Sequence, residues 1–86
     1  MDDVNELFAE ANMSLQDAQQ SLGTVYFEDD FNDAKRATQH TLSAFDALIE
    51  RSTPEQRQSL LAANRPKMAQ LQQQFHTLEQ TLIHDD

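Results

Sequence analysis

Thr53-Pro54-Glu55-Gln56 is the stretch from which the rest of the chain can be read. Its threonine can accept from the backbone of the turn that follows, and its glutamine, three residues on, can reach back to the threonine N–H. Between them the proline, with its fixed φ and missing N–H, suits the first helical position. The combination marks a helix start. Going forward from it, Leu61, Asn64, Met68, Leu71, Phe75, Leu78 and Leu82 recur in alternating steps of three and four, and Leu60 widens the stripe. That spacing predicts a helix over about 54–83. Pro66 interrupts the run. A proline in a helix interior removes a backbone donor and costs about 3 kcal/mol. The apolar stripe nevertheless keeps its phase across Pro66, which predicts a kink there; a break near Asn64 is the alternative.

Going backward from Thr53, the residues Phe31, Ala34, Thr38, Thr41, Leu42, Phe45, Leu48 and Ile49 line one side of a helix over about 30–51. Thr38 and Thr41 make the middle of this stripe polar, and their hydroxyls can bond to carbonyls one turn earlier. Glu28-Asp29-Asp30 reads as the preceding turn, with Asp30 as N-cap. Before it, Val4, Phe8, Ala11, Leu15, Ala18, Leu22 and Val25 form another four-three stripe, widened by Leu7. Gly23 admits two readings. It can be the left-handed residue that follows a helix, or it can lie inside the helix at a cost of about 1 kcal/mol relative to alanine. Val25 continues the stripe, and Tyr26 and Phe27 suit an open loop poorly, so the expectation is a first helix over about 2–27.

Composition agrees with helices throughout. The 86 residues include one glycine, two prolines and no cysteine, so hairpin turns, disulfides and thiolate metal sites have little to build on. A chain of this size forms one domain, residues 1–86, whose stability must come from apolar helix faces. Short connections make neighbouring helices antiparallel. The expected fold is therefore an all-α, three-helix antiparallel bundle with a core of Phe8, Leu15, Leu22, Phe31, Phe45, Leu61, Met68, Leu71, Phe75 and Leu78. An open hairpin that completes its core by dimerising is the alternative that such regular heptads also permit.

The stretch Leu22-Gly23-Thr24-Val25-Tyr26-Phe27-Glu28-Asp29-Asp30-Phe31-Asn32-Asp33-Ala34 resembles the helical hairpin of tetratricopeptide repeats, where a Leu-Gly pair and an aromatic close one helix and an aromatic and an alanine open the next. As a three-helix unit, the chain also resembles microtubule-interacting-and-transport (MIT) domains. The turn is one residue shorter than in the usual repeat and lacks its second glycine, and no second repeat copy follows. The resemblance implies a helical-hairpin architecture and peptide binding in a groove between helices.

The residues offer little to catalysis. His40, His76 and His84 share no ligand spacing, so neither a metal nor a cofactor is expected. Asp29 and Asp30 are explained by turn and cap roles, and there is no nucleophile motif, phosphate loop or calcium loop. The expectation is a protein that is not an enzyme. The formal net charge of −9 disfavours nucleic acid as a partner. No apolar run reaches bilayer length and the N-terminus carries no leader pattern, so an intracellular location, cytoplasmic or nuclear, without membrane contact is expected.

Charge is also unevenly distributed. Up to Ala34 the chain has acids at 2, 3, 6, 10, 17, 28, 29, 30 and 33 and no base, while all six bases lie between Lys35 and Lys67. Ordinary charge matching would set Glu10 and Asp17 against a basic band formed by Lys35, Arg36, Arg65 and Lys67 about midway along the bundle. The functional reading makes Glu6, Glu10 and Asp17 an acidic docking face. Tyr26, Phe27, Asp29, Asp30 and Phe31 form a second candidate, an aromatic corner of the type enriched at interfaces; its ordinary role would be to close the hairpin. Together these features suggest an adaptor or accessory subunit that binds another protein through a basic or helical segment, as monomer or homodimer. A self-associating structural coiled coil and an acidic inhibitor or nucleic-acid mimic are the alternatives.

Overall fold

The computed structural model describes the backbone of residues 2–83 and the side chains of residues 2–81. The side chain of Leu82 and the whole of His84 lie outside the described residues. Three helices, α1 (Asp2–Gln20), α2 (Phe27–Arg51) and α3 (Pro54–Ile83), pack with each antiparallel to the next in the chain. The expected all-α bundle is thus the observed one. Its long dimension of 47 Å follows from α3, whose 30 residues span about 45 Å at 1.5 Å per residue.

The α2–α3 junction forms as the capping signature requires. The Thr53 N–H donates to Gln56 Oε1 and the Gln56 N–H donates to Thr53 Oγ1, both at 3.2 Å. Carbonyls in the last turn of α2 also gain side-chain donors: Ser52 Oγ donates to the Leu48 carbonyl at 2.7 Å, and Arg57 Nε reaches from α3 to the Ile49 carbonyl at 3.2 Å, which the Ser52 N–H already approaches. Beyond this junction α3 runs through Pro66 unbroken. Asn64, Met68, Leu71 and Leu78 are buried and Leu61 and Phe75 half-buried, so the seven-residue phase holds on both sides of the proline.

The α1–α2 junction differs from the expectation. α1 stops at Gln20, well short of Phe27, and Gly23 takes φ +83°, the left-handed conformation that follows a helix. The turn occupies residues 21–26 and is built from its own hydroxyls. Thr24 Oγ1 donates to the Ser21 carbonyl at 2.7 Å and accepts from the Tyr26 N–H at 3.2 Å. Glu28, Asp29 and Asp30 are therefore the first turn of α2, where acids complement the helix dipole. Asp30 is not an N-cap; Tyr26 occupies that position without a side-chain capping bond. Leu22 and Val25 leave the stripe of α1 and are exposed, so Leu22 is no core residue. Phe27 belongs to the phase of α2: Phe27, Phe31, Ala34, Thr38, Thr41 and Phe45 are all buried and follow in four-three steps.

Two apolar clusters fill the interior. One joins Ala11, Leu15 and Ala18 of α1 to Phe27, Phe31 and Ala34 of α2 and Leu71 and Leu78 of α3, with Phe8 and Phe75 at its margin. The other joins Val4, Phe45 and Met68, with Leu48, Ile49 and Leu61 packed around them. The Phe31 ring stacks on Phe75 at 5.4 Å and lies 5.9 Å from the tilted Phe27 ring, tying α2 to α3 near the α1–α2 turn.

The two seam threonines meet different fates. Thr41, fully buried, places its hydroxyl 2.8 Å from the Ala37 carbonyl one turn back and 3.0 Å from the Leu7 carbonyl of α1. Its proton thus serves a contact within α2 and one across the hairpin. Thr38 Oγ1 is buried with no hydrogen-bond partner, so the back-bond expected for it does not form. An unpaired buried hydroxyl costs about 1–3 kcal/mol. Thr38→Val should therefore raise unfolding stability by up to about 1 kcal/mol, while Thr41→Val lowers it by about 1 kcal/mol; urea titrations followed by helical circular dichroism read both. A Cβ on Gly23 would meet no atom within 4 Å, so Gly23→Ala should cost only its left-handed backbone, about 1 kcal/mol in the same titration.

Candidate partner-binding surface

The α1–α2 turn exposes apolar surface that the rest of the bundle hides. Val25 is 88% exposed, Tyr26 68% and Leu22 42%, three apolar side chains within five residues at one end of the molecule. The cause is local: the left-handed Gly23 and the Thr24 hydrogen bonds turn the chain before these residues can join either helix. Beside Tyr26 the surface dips into an open notch of ≈ 500 Å³ lined by Asp17, Gln20, Ser21, Thr24, Tyr26 and Asp30.

Of the aromatic corner, only Tyr26 is available to a partner. Phe27 and Phe31 are buried in the core, which corrects the expectation that they share in a surface anchor. Their phase explains it: both lie on the inward stripe of α2. Asp29 is exposed and Asp30 half-exposed, on the turn of α2 next to Tyr26. Val25 and Leu22, which the stripe of α1 would place in the core, belong instead to the exposed patch; the left-handed alternative at Gly23 is the sequence signal that releases them.

Glu6, Glu10 and Asp17 are exposed on α1. With Asp3 and Met13 they follow in three-four steps on the side away from Val4, Ala11, Leu15 and Ala18. Met13, 64% exposed, thus sits in the middle of an acidic row. Arg36 pairs with Asp33 within α2, and this is the only contact of a lysine or arginine with a carboxylate among the described residues. Neither Glu10 nor Asp17 is paired with the basic residues Lys35, Arg36, Arg65 or Lys67. The charge matching expected between them does not form as ion pairs.

The histidines lie apart. His40 is exposed on an open groove of ≈ 590 Å³ between the start of α1 and the end of α2, floored by Val4, Leu7, Ala44 and Leu48. His76 is exposed on α3, 3.1 Å from Gln80 Nε2 and 3.9 Å from Glu79. Among the described residues no three His, Asp or Glu side chains converge as a metal site would require. No helix among them is long and apolar enough to cross a membrane.

Fold and surface together define a small antiparallel three-helix domain with an apolar tip set in unpaired acids. Residues 1–80 match the family described as the Embryogenesis-like protein helical domain, and the chain belongs to that family. No curated protein and no solved structure matches it.

The division between exposed and buried aromatics is measurable. Val25→Ser and Tyr26→Ser should each change stability by less than about 0.5 kcal/mol, whereas Phe27→Ala should cost about 3 kcal/mol. Thermal and urea unfolding of the three variants checks this; a large loss from Tyr26→Ser would mean that the tip is part of the core.

Proposed function

We propose that this domain is a non-enzymatic protein-binding module, acting as an adaptor or accessory subunit of a larger assembly. The observation that carries the reading is the tip: Leu22, Val25 and Tyr26 stand in solvent, although a bundle of this size has every reason to bury apolar side chains. Tyrosine at such a place can bury a large ring at small entropic cost and keep its hydroxyl paired, as interface anchors do. The unpaired acids around it favour a basic partner and would speed its capture more than tighten its grip. An intracellular setting, cytoplasmic or nuclear, is part of the same proposal.

The self-associating reading is opposed by the same charges, because two copies would bring like-charged faces together. Sedimentation of the purified chain, alongside affinity capture with wild type and a Val25→Ser/Tyr26→Ser double variant as baits, tests the proposal. The expected result is a monomer whose captured proteins are lost with the double variant. A stable dimer that the double variant dissociates would replace the adaptor reading with self-association, and capture indifferent to the double variant would overturn the role of the tip.

A further inference from the structure

Resting on that reading, we propose that the partner segment is a basic amphipathic helix that lies along the outer face of α1, from Glu6 to the tip. The tip is one end of a longer surface. Glu6, Glu10, Met13 and Asp17 form a straight row of exposed residues on α1. The row runs from Glu6 to Asp17, about 17 Å at 1.5 Å per residue, and leads to the notch that Asp17 shares with Tyr26 and Asp30. Two apolar points therefore stand on an acidic track: Met13 in its middle and Val25 with Tyr26 at its end. A straight helix repeats its side chains in the same three-four steps, so a helix laid beside α1 can keep cations level with Glu6, Glu10 and Asp17 over three turns. Its apolar stripe then meets Met13 and the tip. An extended strand repeats every second residue and loses this register.

Charge selects the occupant. Glu6, Glu10, Asp17 and Asp30 have no basic partner within ion-pair distance among the described residues. A second copy would set its own acidic α1 against this one, and nucleic acid or an anionic lipid surface would be repelled. A lysine or arginine entering the notch would find carboxylates at Asp17 and Asp30 and the ring of Tyr26 for a cation–π contact. The groove near His40 has mixed rim charges, from Asp3, Glu50 and Arg51, and selects no such sign.

Tyr26 is the only tyrosine and the chain has no tryptophan, so its emission reports on the tip directly. The probe is a synthetic helix of about four turns with a leucine stripe flanked by lysine and arginine and without Tyr or Trp; a control peptide carries glutamate at the same positions. The basic peptide should alter Tyr26 emission and shift the amide resonances of residues 6–17 and 22–30 of the full chain. Its affinity should fall at least about tenfold between about 50 and 500 mM NaCl. A comparable loss is expected for the triple variant Glu6→Gln/Glu10→Gln/Asp17→Asn, whose helical content should match wild type.

Equal binding of the acidic peptide, indifference to salt or to the triple variant, or shifts confined to the His40 groove would overturn the inference. Absence of binding by the basic peptide would overturn it as well. If captured proteins are still lost with the Val25→Ser/Tyr26→Ser bait in that case, the protein-binding reading survives without the basic helix; if both experiments fail, both readings fall.

Discussion

Close approach of α1 and α2 is the constraint on which the rest of the molecule depends. Ala11 and Ala18 on one helix and Ala34 on the other are fully buried, and these two helices are the most closely packed pair. Small side chains at such positions let backbones come near enough for direct polar contact. Thr41 makes that contact, its hydroxyl on the Leu7 carbonyl of α1. Larger residues at these positions would force the helices apart and remove this bond, leaving the hydroxyl only its contact with the Ala37 carbonyl within α2.

α3 is held differently. It packs less closely on α1 and α2 than these do on each other, it carries Asn64 in its inward stripe, and it tolerates a proline in its interior. Its attachment is concentrated in two regions. At the α2–α3 junction the reciprocal Thr53–Gln56 bonds and the Arg57 contact to the Ile49 carbonyl fix its start. Toward the other end Leu71, Phe75 and Leu78 pack on the hairpin, with Phe75 stacked on Phe31. Asn64 donates locally to the Leu60 carbonyl at 3.1 Å, so its buried amide nitrogen is not left without a partner.

The same turn that closes the hairpin creates the candidate surface. A helix continued through Gly23 would have carried Leu22 and Val25 into the core stripe. The left-handed glycine instead ends α1 early and leaves both residues, with Tyr26, in solvent. Charge segregation along the chain then decides the character of what surrounds them. With no base before Lys35, the outer face of α1 and the first turn of α2 are acidic, whatever the detailed packing.

Much of this was legible in the residues. Thr53-Pro54-Glu55-Gln56 announced the third helix, because a capping box and a first-position proline depend on contacts within four residues. The stripe from Leu61 to Leu78 identified the inward face of α3 across Pro66, since helical periodicity is a local geometric property. Phe27 was misplaced at the end of the first helix, although its step of four to Phe31 extends the second stripe backward. The decision at Gly23 was not legible, because two conformations of one glycine were each compatible with the neighbouring pattern, and only the packing of Phe27 and Phe31 against α1 and α3 selects the turn. Nor could the sequence distinguish Thr38 from Thr41. Both sit on the same inward stripe, yet only Thr41 lies beside a carbonyl of α1. Local signals thus determined the helices and their faces; the end of α1, the exposed tip and the paired or unpaired state of each buried hydroxyl depend on which residues of other helices stand opposite, and that is settled only when the three pack together.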